Sequence, residues 1–453
     1  MNKRFILRIE KLALGGFGLG FHEGKAVFAQ RMAVGDLAEV ELVKERKDTA
    51  FARPLRWLER GKGVREADCA SFDLDDPCGG CDWLMLDYPA QLAAKTELVR
   101  ELLQPLAPDL KIGAMPASPN PVNYRNKAFL PVGSGADGLY YGIYARWSHR
   151  IVPHQRCVLH PQLFDTIAQR CLEICRKAGV QAYSEASHTG TLRHIGLRCN
   201  KDQSSVLLIL VTRGAKLPFS NLFVKQITAE FPCISGIVQN INRERGNVIL
   251  GPEDKLLYGN PWLFDELAGK RFRIHYRSFW QINRGTTEQI IARLQKLMGG
   301  AGLVFDAYSG IGALGLNLAA QAERVLCVEE CREAALDGEL NSELNDLANV
   351  DHLCARVEDA LPALLSDQQS SPCKTPDVII LDPPRSGVKP AALQAIIDTG
   401  IERIFYLSCA PMTLHRDLKI LLGSGRYKLE GIQTFDMFPQ TWHIETLAWL
   451  SRV

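Results

Sequence analysis

A cysteine and an aspartate in the C-terminal part of the chain are of the types that covalent catalysis needs. Asp382 follows an apolar run and opens the segment Asp-Pro-Pro-Arg-Ser-Gly, while Cys409 follows the next apolar run. Open α/β sheets place their sites at the carboxyl ends of parallel strands, so we expect both side chains at one sheet edge. We also expect Arg385 to lower the pKa of Cys409 and make it a nucleophile. The alternative is a buried, inert cysteine.

A candidate general base lies near the C-terminus, in the segment Asp436-Met-Phe-Pro-Gln-Thr-Trp-His-Ile-Glu445. His443 and Glu445 alternate along an extended segment and therefore face the same side. A carboxylate in such a place can remove a proton from a substrate. The alternative is a surface turn with a structural histidine.

A glycine-rich loop provides a candidate cofactor site. Gly310, Gly312 and Gly315 satisfy the pattern G-x-G-x-x-G after an apolar run that reaches Asp306, and Glu329 ends the next apolar run. Such a loop cradles a nucleotide, and such an acidic residue binds ribose hydroxyls. The spacing also fits a nicotinamide cofactor or purely structural glycines. Asp306, whose carboxylate can meet the ammonium group of an amino acid, and the late position of the loop favour S-adenosylmethionine.

Four cysteines have a spacing typical of a metal site. Cys69, Cys78 and Cys81 lie close together in the sequence, and Cys157 follows much later. Four thiolates bind either zinc or an iron–sulfur cluster, and their chemistry alone leaves both open. The chain contains 13 cysteines, an odd number, so a disulfide scaffold is not expected.

The N-terminal part of the chain is basic. Residues 1–65 carry 14 Lys and Arg against 8 Asp and Glu, although the net charge of the whole chain is only +2. Short β segments with glycine turns predict a small barrel there. Basic and aromatic residues also mix in 123–127, which holds Arg125 and Lys127, and in 140–150. Such mixtures suit stacking on bases and pairing with phosphates, so we expect a nucleic acid as the partner.

The elements that must position these residues follow an alternating pattern from about residue 273. We expect strands over 303–306, 324–329, 377–381 and 403–407, and helices over 313–320 and 331–344. Near-continuous apolar strands are typical of a buried parallel sheet in a doubly wound α/β domain. We predict three domains: a β-barrel over 1–62, a central mixed α+β domain over 63–270, and the α/β domain over 271–453. The helix near 88–110 is expected to pack on the last of these.

Composition excludes several other classes of protein. Hydrophobic residues make up 46% and charged residues 23% of the chain, as in an ordinary globular protein. The longest apolar runs, such as 206–211, fall far short of the roughly 20 residues that a membrane span needs. The first residues lack the sustained apolar stretch of a secretory signal. We therefore expect a cytoplasmic protein.

Together these segments resemble a known family, the RNA uracil-5-methyltransferases that use S-adenosylmethionine. The Asp382 segment with Tyr406, Cys409 and Thr413 is similar to the family's nucleophile signature, and residues 435–445 are similar to its general-base signature. The first 60 residues resemble the RNA-binding TRAM barrel attached to many members. Further similar segments are Tyr124–Lys127, Gln239–Arg243, Asn247–Gly251 and Phe279–Asn283.

The resemblance implies a Rossmann-like methyltransferase domain and a covalent mechanism. Cys409 would add to carbon 6 of uracil, carbon 5 would take the methyl group, and Glu445 would remove the carbon 5 proton. Asp382 would meet the cofactor or the uracil edge. The four cysteines would hold a [4Fe–4S] cluster rather than zinc. The implied cofactor residues are Gln281, Tyr308, Glu329 and Asp382, beside Asp306, Gly310 and Gly312 of the glycine loop.

The resemblance also bears on the substrate. A barrel combined with a cluster is similar to the members that act on 23S ribosomal RNA, so this RNA is the expected substrate, with no membrane and no obligate protein partner. Three positions depart from the family pattern, which has Asn where this chain has Ala313, Arg356 and Ala410. These departures bear on cofactor affinity and base recognition. The alternatives are a transfer RNA uridine-5-methyltransferase, an amino-directed methyltransferase, and a non-catalytic RNA-binding or RNA-folding protein.

Overall fold

The computed structural model describes residues 3–72, 77–217, 219–366 and 375–453. Contacts divide the chain into two compact units. The first unit joins residues 1–68, 81–121 and 358–453, and the second joins residues 69–80 and 122–357. In the described ranges no helix is both long and apolar enough to cross a membrane.

The first unit begins with a β-sheet. Its strands are β1 (Arg4–Arg8), β2 (Lys11–Ala13), β3 (Phe17–His22), β4 (Lys25–Gln30), β5 (Leu37–Glu45) and β6 (Thr49–Glu59). They lie in the order β1-β5-β6-β4-β3-β2. Small and branched side chains such as Leu7, Val27 and Val40 form its buried core. This small β-rich N-terminal domain agrees with the sequence prediction.

Helix α1 (Tyr88–Leu103) follows in the same unit. Pro89 lies in its first turn, where a missing N–H is tolerated. Its buried face is unusual because polar and apolar side chains share it: the buried residues are Gln91, Lys95, Thr96, Leu98, Val99 and Leu103. Such polar groups need partners across the interface, and those partners are described below.

The second unit begins with a mixed sheet and two helices. The elements are β7 (Lys127–Gly135), β8 (Gly138–Tyr144), β9 (Ile151–Pro153), α2 (Gln162–Lys177), β10 (Leu192–Cys199), β11 (Val206–Thr212), α3 (Ser220–Glu230), β12 (Ile234–Ile241) and β13 (Glu253–Gly259). The strand order is β13-β12-β11-β10-β7-β8-β9. Strands β11 and β12 are parallel, and the other neighbouring strands are antiparallel. Side chains of α2 and α3 share a core with this sheet.

The same unit ends in a hairpin and a parallel βαβ arrangement. The elements are β14 (Trp262–Leu267), β15 (Lys270–His275), α4 (Arg284–Met298), β16 (Ala301–Ala307), α5 (Gly315–Leu318), β17 (Ala322–Glu329), α6 (Arg332–Leu344) and β18 (Val350–Cys354). Strand β17 pairs in parallel with β16 and with β18. The predicted helix over 313–320 is shorter than expected, because its last turn tightens into a 3₁₀ helix at Ala319–Gln321.

The C-terminal part of the first unit is again α/β. Its elements are α7 (Val357–Ser366), β19 (Val378–Leu381), α8 (Pro390–Thr399), β20 (Arg403–Ser408), α9 (Pro411–Gly423), β21 (Tyr427–Phe435) and β22 (Glu445–Arg452). Strands β19 and β20 are parallel, and β22 pairs antiparallel with β20 and β21. The α/β class predicted from the alternating apolar runs is therefore confirmed.

Candidate active site

The Asp382 loop, residues 382–388, begins where β19 ends and is held by a hydrogen bond to helix α9. The carboxylate of Asp417 on α9 accepts hydrogen bonds from the Val388 amide at 2.9 Å and from the Tyr406 hydroxyl at 2.7 Å. Gly387 has φ +79°, and a Cβ there would lie 2.5 Å from the Arg416 guanidinium. The loop therefore needs glycine at this place, and the buried Asp417 fixes where the loop turns.

Cys409 lies in the short connection between β20 and α9. The Ser408 hydroxyl accepts a hydrogen bond from the Ala410 amide at 3.1 Å, and the Thr413 hydroxyl donates to the Ala410 carbonyl oxygen at 2.9 Å. These bonds use the backbone of Ala410 and do not require a particular side chain there. The thiol is partly buried.

Glu445 is the first residue of β22 and pairs across the hairpin with Phe435. Its side chain is almost fully buried. Its Oε1 atom has no hydrogen-bond partner among the described residues. Burying a carboxylate oxygen without a donor is costly, which makes this atom a candidate contact for a ligand.

The catalytic candidates Asp382, Cys409 and Glu445 form a cluster in which the charge of one group shifts the pKa of another. Burial raises the pKa of Cys409 to about 11, and the Glu445 carboxylate adds to the rise, while Arg385 opposes it. The expectation of a lowered pKa for this thiol was wrong. Arg385 has the predicted effect, but the sequence could not show that burial and Glu445 outweigh it.

The two carboxyl groups of this cluster repel each other's negative charge. Burial raises the pKa of Asp382 to about 7. Burial and then the Asp382 charge raise the pKa of Glu445 well above its ordinary value, although Arg385 lowers it. Paired acidic groups with raised pKa values suit proton transfer near neutral pH.

The glycine loop follows β16 in the second unit. Its backbone is left-handed at Tyr308, Gly310 and Gly312, with φ values of +61°, +56° and +85°. A Cβ on Gly312 would collide with Leu316. The loop therefore turns sharply between strand and helix, as a nucleotide-binding loop must.

The two acidic candidates of this loop hold its backbone. Glu329 accepts hydrogen bonds from the Gly310 amide at 2.9 Å and from the Cys331 amide at 2.8 Å. Asp306 is buried and accepts from the Gly315 amide at 2.8 Å. A carboxylate oxygen has two lone pairs, so Glu329 keeps acceptor capacity for a ligand.

The predicted RNA-binding and cofactor-binding segments of the second unit are joined. The Asn126 side chain donates to the Gln281 carbonyl oxygen at 2.9 Å, and its amide donates to the Ile282 carbonyl oxygen at 3.2 Å. The backbones of Arg125 and Asn283 form an isolated antiparallel β-bridge. Burial, with the positive charge of Arg198 nearby, lowers the pKa of Lys127 to about 7. Nothing in the spacing of these two segments along the chain predicts that they meet.

The four predicted metal ligands are not assembled into a site in the described part of the chain, where no three His, Cys, Asp or Glu side chains are placed to hold a metal ion. Cys78 accepts a hydrogen bond from the Gly80 amide at 3.2 Å. Burial is the largest influence on the pKa of Cys157 and would raise it, but the hydrogen bond and charge of His160, with smaller contributions from the Leu159 backbone and Arg125, together lower that pKa. His160 in turn contacts Asp165 at 2.9 Å.

Comparison with known proteins finds relatives that match almost the whole chain. A family model for tRNA (uracil-5-)-methyltransferases matches residues 254–453. A Bacillus cereus protein described as an uncharacterised RNA methyltransferase is 35% identical over 448 residues, which cover 98% of this chain and 96% of that protein. A protein of the same description from Gloeobacter violaceus is 36% identical over 451 residues, which cover 98% and 95%.

A solved structure shares the fold. The crystal structure of Pyrococcus abyssi tRNA (uracil-54, C5)-methyltransferase in complex with S-adenosyl-L-homocysteine has a TM-score of 0.76 and 24% sequence identity. The match covers 99% of this chain and 100% of that chain.

The α/β fold and these relatives define an RNA methyltransferase. The chain belongs to the RNA (uracil-5-)-methyltransferase family, as its motifs predicted.

Proposed function

We propose that this enzyme transfers a methyl group from S-adenosylmethionine to carbon 5 of a uridine in RNA, through a covalent bond between Cys409 and the base. The observation that carries the proposal is the Glu445 carboxylate, which is buried beside Asp382 and near the thiol. Its Oε1 has no hydrogen-bond partner among the described residues. Such an oxygen suits a base that meets its proton only when substrate is bound.

Cys409, Glu445 and Arg385 carry out the proposed steps. S-adenosylmethionine, when bound, supplies an electrophilic methyl group. The thiolate of Cys409 bonds to carbon 6 of uracil as the carbon 5–carbon 6 double bond opens, which makes carbon 5 nucleophilic enough to take that methyl group as the bond between the methyl group and the cofactor's sulfur breaks. Glu445 then removes the proton from carbon 5, the carbon 5–carbon 6 double bond re-forms, and Cys409 leaves as thiolate. Arg385 stabilises the negative charge on the sulfur at the start and at the end.

The glycine loop is the proposed cofactor site. Supporting observations are the sharp turn through Tyr308, Gly310 and Gly312 and the Glu329 carboxylate beside the Gly310 amide. Asp306 anchors the loop, and Gln281 lies in the segment tied to Asn126. Asp382 is the proposed contact to the cofactor or the uracil edge.

Arg125 and Lys127 are the proposed RNA contacts of the second unit, and residues 1–62 are a proposed TRAM-like RNA-binding barrel. The barrel exposes aromatic and basic groups together: Trp57 is 37% exposed, and the Arg60 guanidinium lies 4.0 Å from the Trp57 ring centroid. Stacked aromatic rings with arginine are suited to single-stranded nucleic acid. The base must also leave its stack to reach Cys409.

The proposed target is a uridine of 23S ribosomal RNA, supported by the combination of an N-terminal barrel with the cysteine set. The Pyrococcus abyssi relative acts on uracil 54 of transfer RNA, which makes transfer RNA the second candidate. Mapping 5-methyluridine in ribosomal and transfer RNA from a strain without this gene decides between them. Loss of one methyl group from 23S RNA supports the first, loss from transfer RNA supports the second, and loss from neither contradicts the proposed activity.

The [4Fe–4S] cluster stays a proposal that rests on Cys69, Cys78, Cys81 and Cys157. Its support is the sequence spacing and the Gly80 amide that donates to the Cys78 sulfur, a type of bond that tunes iron–sulfur clusters. The positions of the described thiols give no further support for the cluster. None of the proposed catalytic steps depends on the cluster. Anaerobic purification followed by iron and sulfide analysis tests it: four of each per chain support the cluster, and stoichiometric zinc contradicts it.

A further inference from the structure

The turn that leads into the proposed base is held by groups from the N-terminal half of the sequence. Phe435 ends β21 and pairs with Glu445, which begins β22, so residues 436–444 connect the two strands. We call this segment the base loop. Because Glu445 is the first residue after it, the position of the base loop decides where the carboxylate lies.

A buried ion pair fastens the base loop to helix α1. Lys95 Nζ lies 2.6 Å from Asp436 Oδ1, and both side chains are 0% exposed. The same ammonium group donates to the Phe438 carbonyl oxygen at 3.1 Å, and the Tyr88 hydroxyl donates to Asp436 Oδ2 at 2.9 Å. A buried ion pair is weak evidence for stability, because desolvation offsets its attraction. Its firmer consequence is a fixed geometry for the start of the base loop.

A reciprocal amide pair holds the middle of the base loop. The Gln91 side-chain amide donates to Gln440 Oε1 at 2.9 Å, and the Gln440 backbone amide donates to Gln91 Oε1 at 2.9 Å. Gln440 has φ +68°, a conformation that a residue with a side chain keeps only when its surroundings impose it. Gln91 therefore helps to impose the turn of the base loop.

The segment after Cys81 holds the base loop at the same point. The amides of Asp82 and Trp83 donate to the Gln440 carbonyl oxygen at 3.1 Å and 3.0 Å. The Asp82 carboxylate accepts from the Trp442 amide at 3.3 Å. The loop is thus fixed at its start, its middle and near its end.

We propose that Lys95, together with Tyr88 and Gln91, is a positioning residue for the removal of the carbon 5 proton by Glu445. This inference rests on the proposed function, because it requires Glu445 to be the base. Two steps precede the action of the base: Cys409 adds to carbon 6, and the methyl group is transferred to carbon 5. A loosened base loop slows the later step selectively, so the enzyme accumulates as a methylated covalent adduct with RNA.

The experiment measures that adduct in the full-length enzyme. The enzyme is mixed with tritiated-methyl S-adenosylmethionine and total RNA from a strain without this gene, and tritium that migrates with protein on a denaturing gel is counted. Tyr88→Phe removes one hydroxyl from Asp436, and the double variant Lys95→Met, Asp436→Asn removes both buried charges. Thr96→Val is the matched control, because the buried Thr96 hydroxyl donates to Leu92 and accepts from the Met115 amide.

Glu445→Gln shows the full effect of losing the base and must accumulate the adduct. We call Tyr88→Phe and the double variant the loop variants, because both loosen the base loop. Both are expected to hold at least about fivefold more adduct than wild type, since small misplacements of a catalytic group cost up to about 10²-fold in rate. Their rate of methyl transfer in a single turnover stays within about threefold, and Thr96→Val behaves like wild type. If the double variant does not fold, Tyr88→Phe decides alone.

Three results separate this inference from the function on which it rests. If Glu445→Gln accumulates adduct and the loop variants do not, the positioning role is refuted and the proposed function stands. The same holds if adduct and methyl transfer fall together in the loop variants. If Glu445→Gln accumulates no adduct, the assignment of the base fails, and the inference fails with it.

Discussion

Replacing Arg385 with Met is expected to make Cys409 less reactive by raising the pKa of its thiol further. In the wild type that pKa is about 11, because burial and the Glu445 carboxylate together outweigh Arg385. Removing the positive charge leaves the raising influences of burial, Glu445 and Asp382 and takes away the one that opposes them. The thiolate fraction at neutral pH therefore falls.

The size of this effect follows from the hydrogen bond between the guanidinium and the thiolate. A hydrogen bond to a charged group contributes about 1.5–3 kcal/mol, which corresponds to roughly one to two pKa units. Arg385 is exposed and Cys409 only partly buried, so solvent screens the pair and the lower end applies. We therefore expect a rise of about one pKa unit and about tenfold less thiolate at a given pH.

Alkylation of Cys409 by iodoacetamide measures the thiolate directly, because only the thiolate reacts quickly. Mass spectrometry of the Cys409 peptide gives the rate from pH 7 to about pH 10. In wild type the rate should rise about tenfold per pH unit throughout. Arg385→Met should react about tenfold more slowly, and Arg385→Lys, which keeps the charge, should recover part of the loss. A wild-type plateau below pH 9 would show that the pKa of Cys409 is not raised as far as burial implies, and equal rates in wild type and Arg385→Met would show that Arg385 does not lower it.

Three further predictions address the cofactor loop, the Asp382 loop and helix α1. Glu329→Ala should weaken S-adenosylmethionine binding about tenfold in calorimetry, since it removes a charged acceptor and leaves the Gly310 amide without it; unchanged affinity would contradict the cofactor site. Gly387→Ala should lower the free energy of unfolding by about 1–3 kcal/mol because of its positive φ and its close neighbours, whereas Gly423→Ala, where nothing lies within 4 Å, should not destabilise. Lys95→Met alone should cost about 3–5 kcal/mol in chemical denaturation, because it leaves Asp436 buried without its ammonium partner; a loss below 1 kcal/mol would show that the pair is not retained in solution.

The elements that carry the site could be predicted because they obey local rules. Strands such as Val378–Leu381 and Arg403–Ser408 are nearly continuous apolar runs. A parallel strand that is buried on both faces needs apolar side chains at almost every position, so such a run predicts it. The position of Asp382 and Cys409 directly after these strands then follows from the topology of α/β sheets. These parts of the fold and site depend on neighbours in sequence.

The contacts that tune the site depend on residues far away in sequence. Lys95 looks like a solvent-facing helix residue until Asp436, 341 positions later, is placed beside it. The direction of the Cys409 pKa shift depends on burial and on Glu445, neither of which is visible in the segment around the cysteine. The arrangement of Cys69, Cys78, Cys81 and Cys157 likewise cannot be read from their spacing.

The proposed mechanism requires a covalent bond between Cys409 and a uracil of the substrate RNA. Substrate RNA transcribed with 5-fluorouridine tests for this bond, because carbon 5 then carries fluorine in place of the proton that Glu445 removes, and the adduct is trapped. With S-adenosylmethionine present, wild type should give a protein–RNA complex that survives denaturation, with the RNA fragment attached to the Cys409 peptide in mass spectrometry. Cys409→Ser should give none. A stable complex in Cys409→Ser, or attachment of the RNA to a different residue in wild type, would contradict the mechanism.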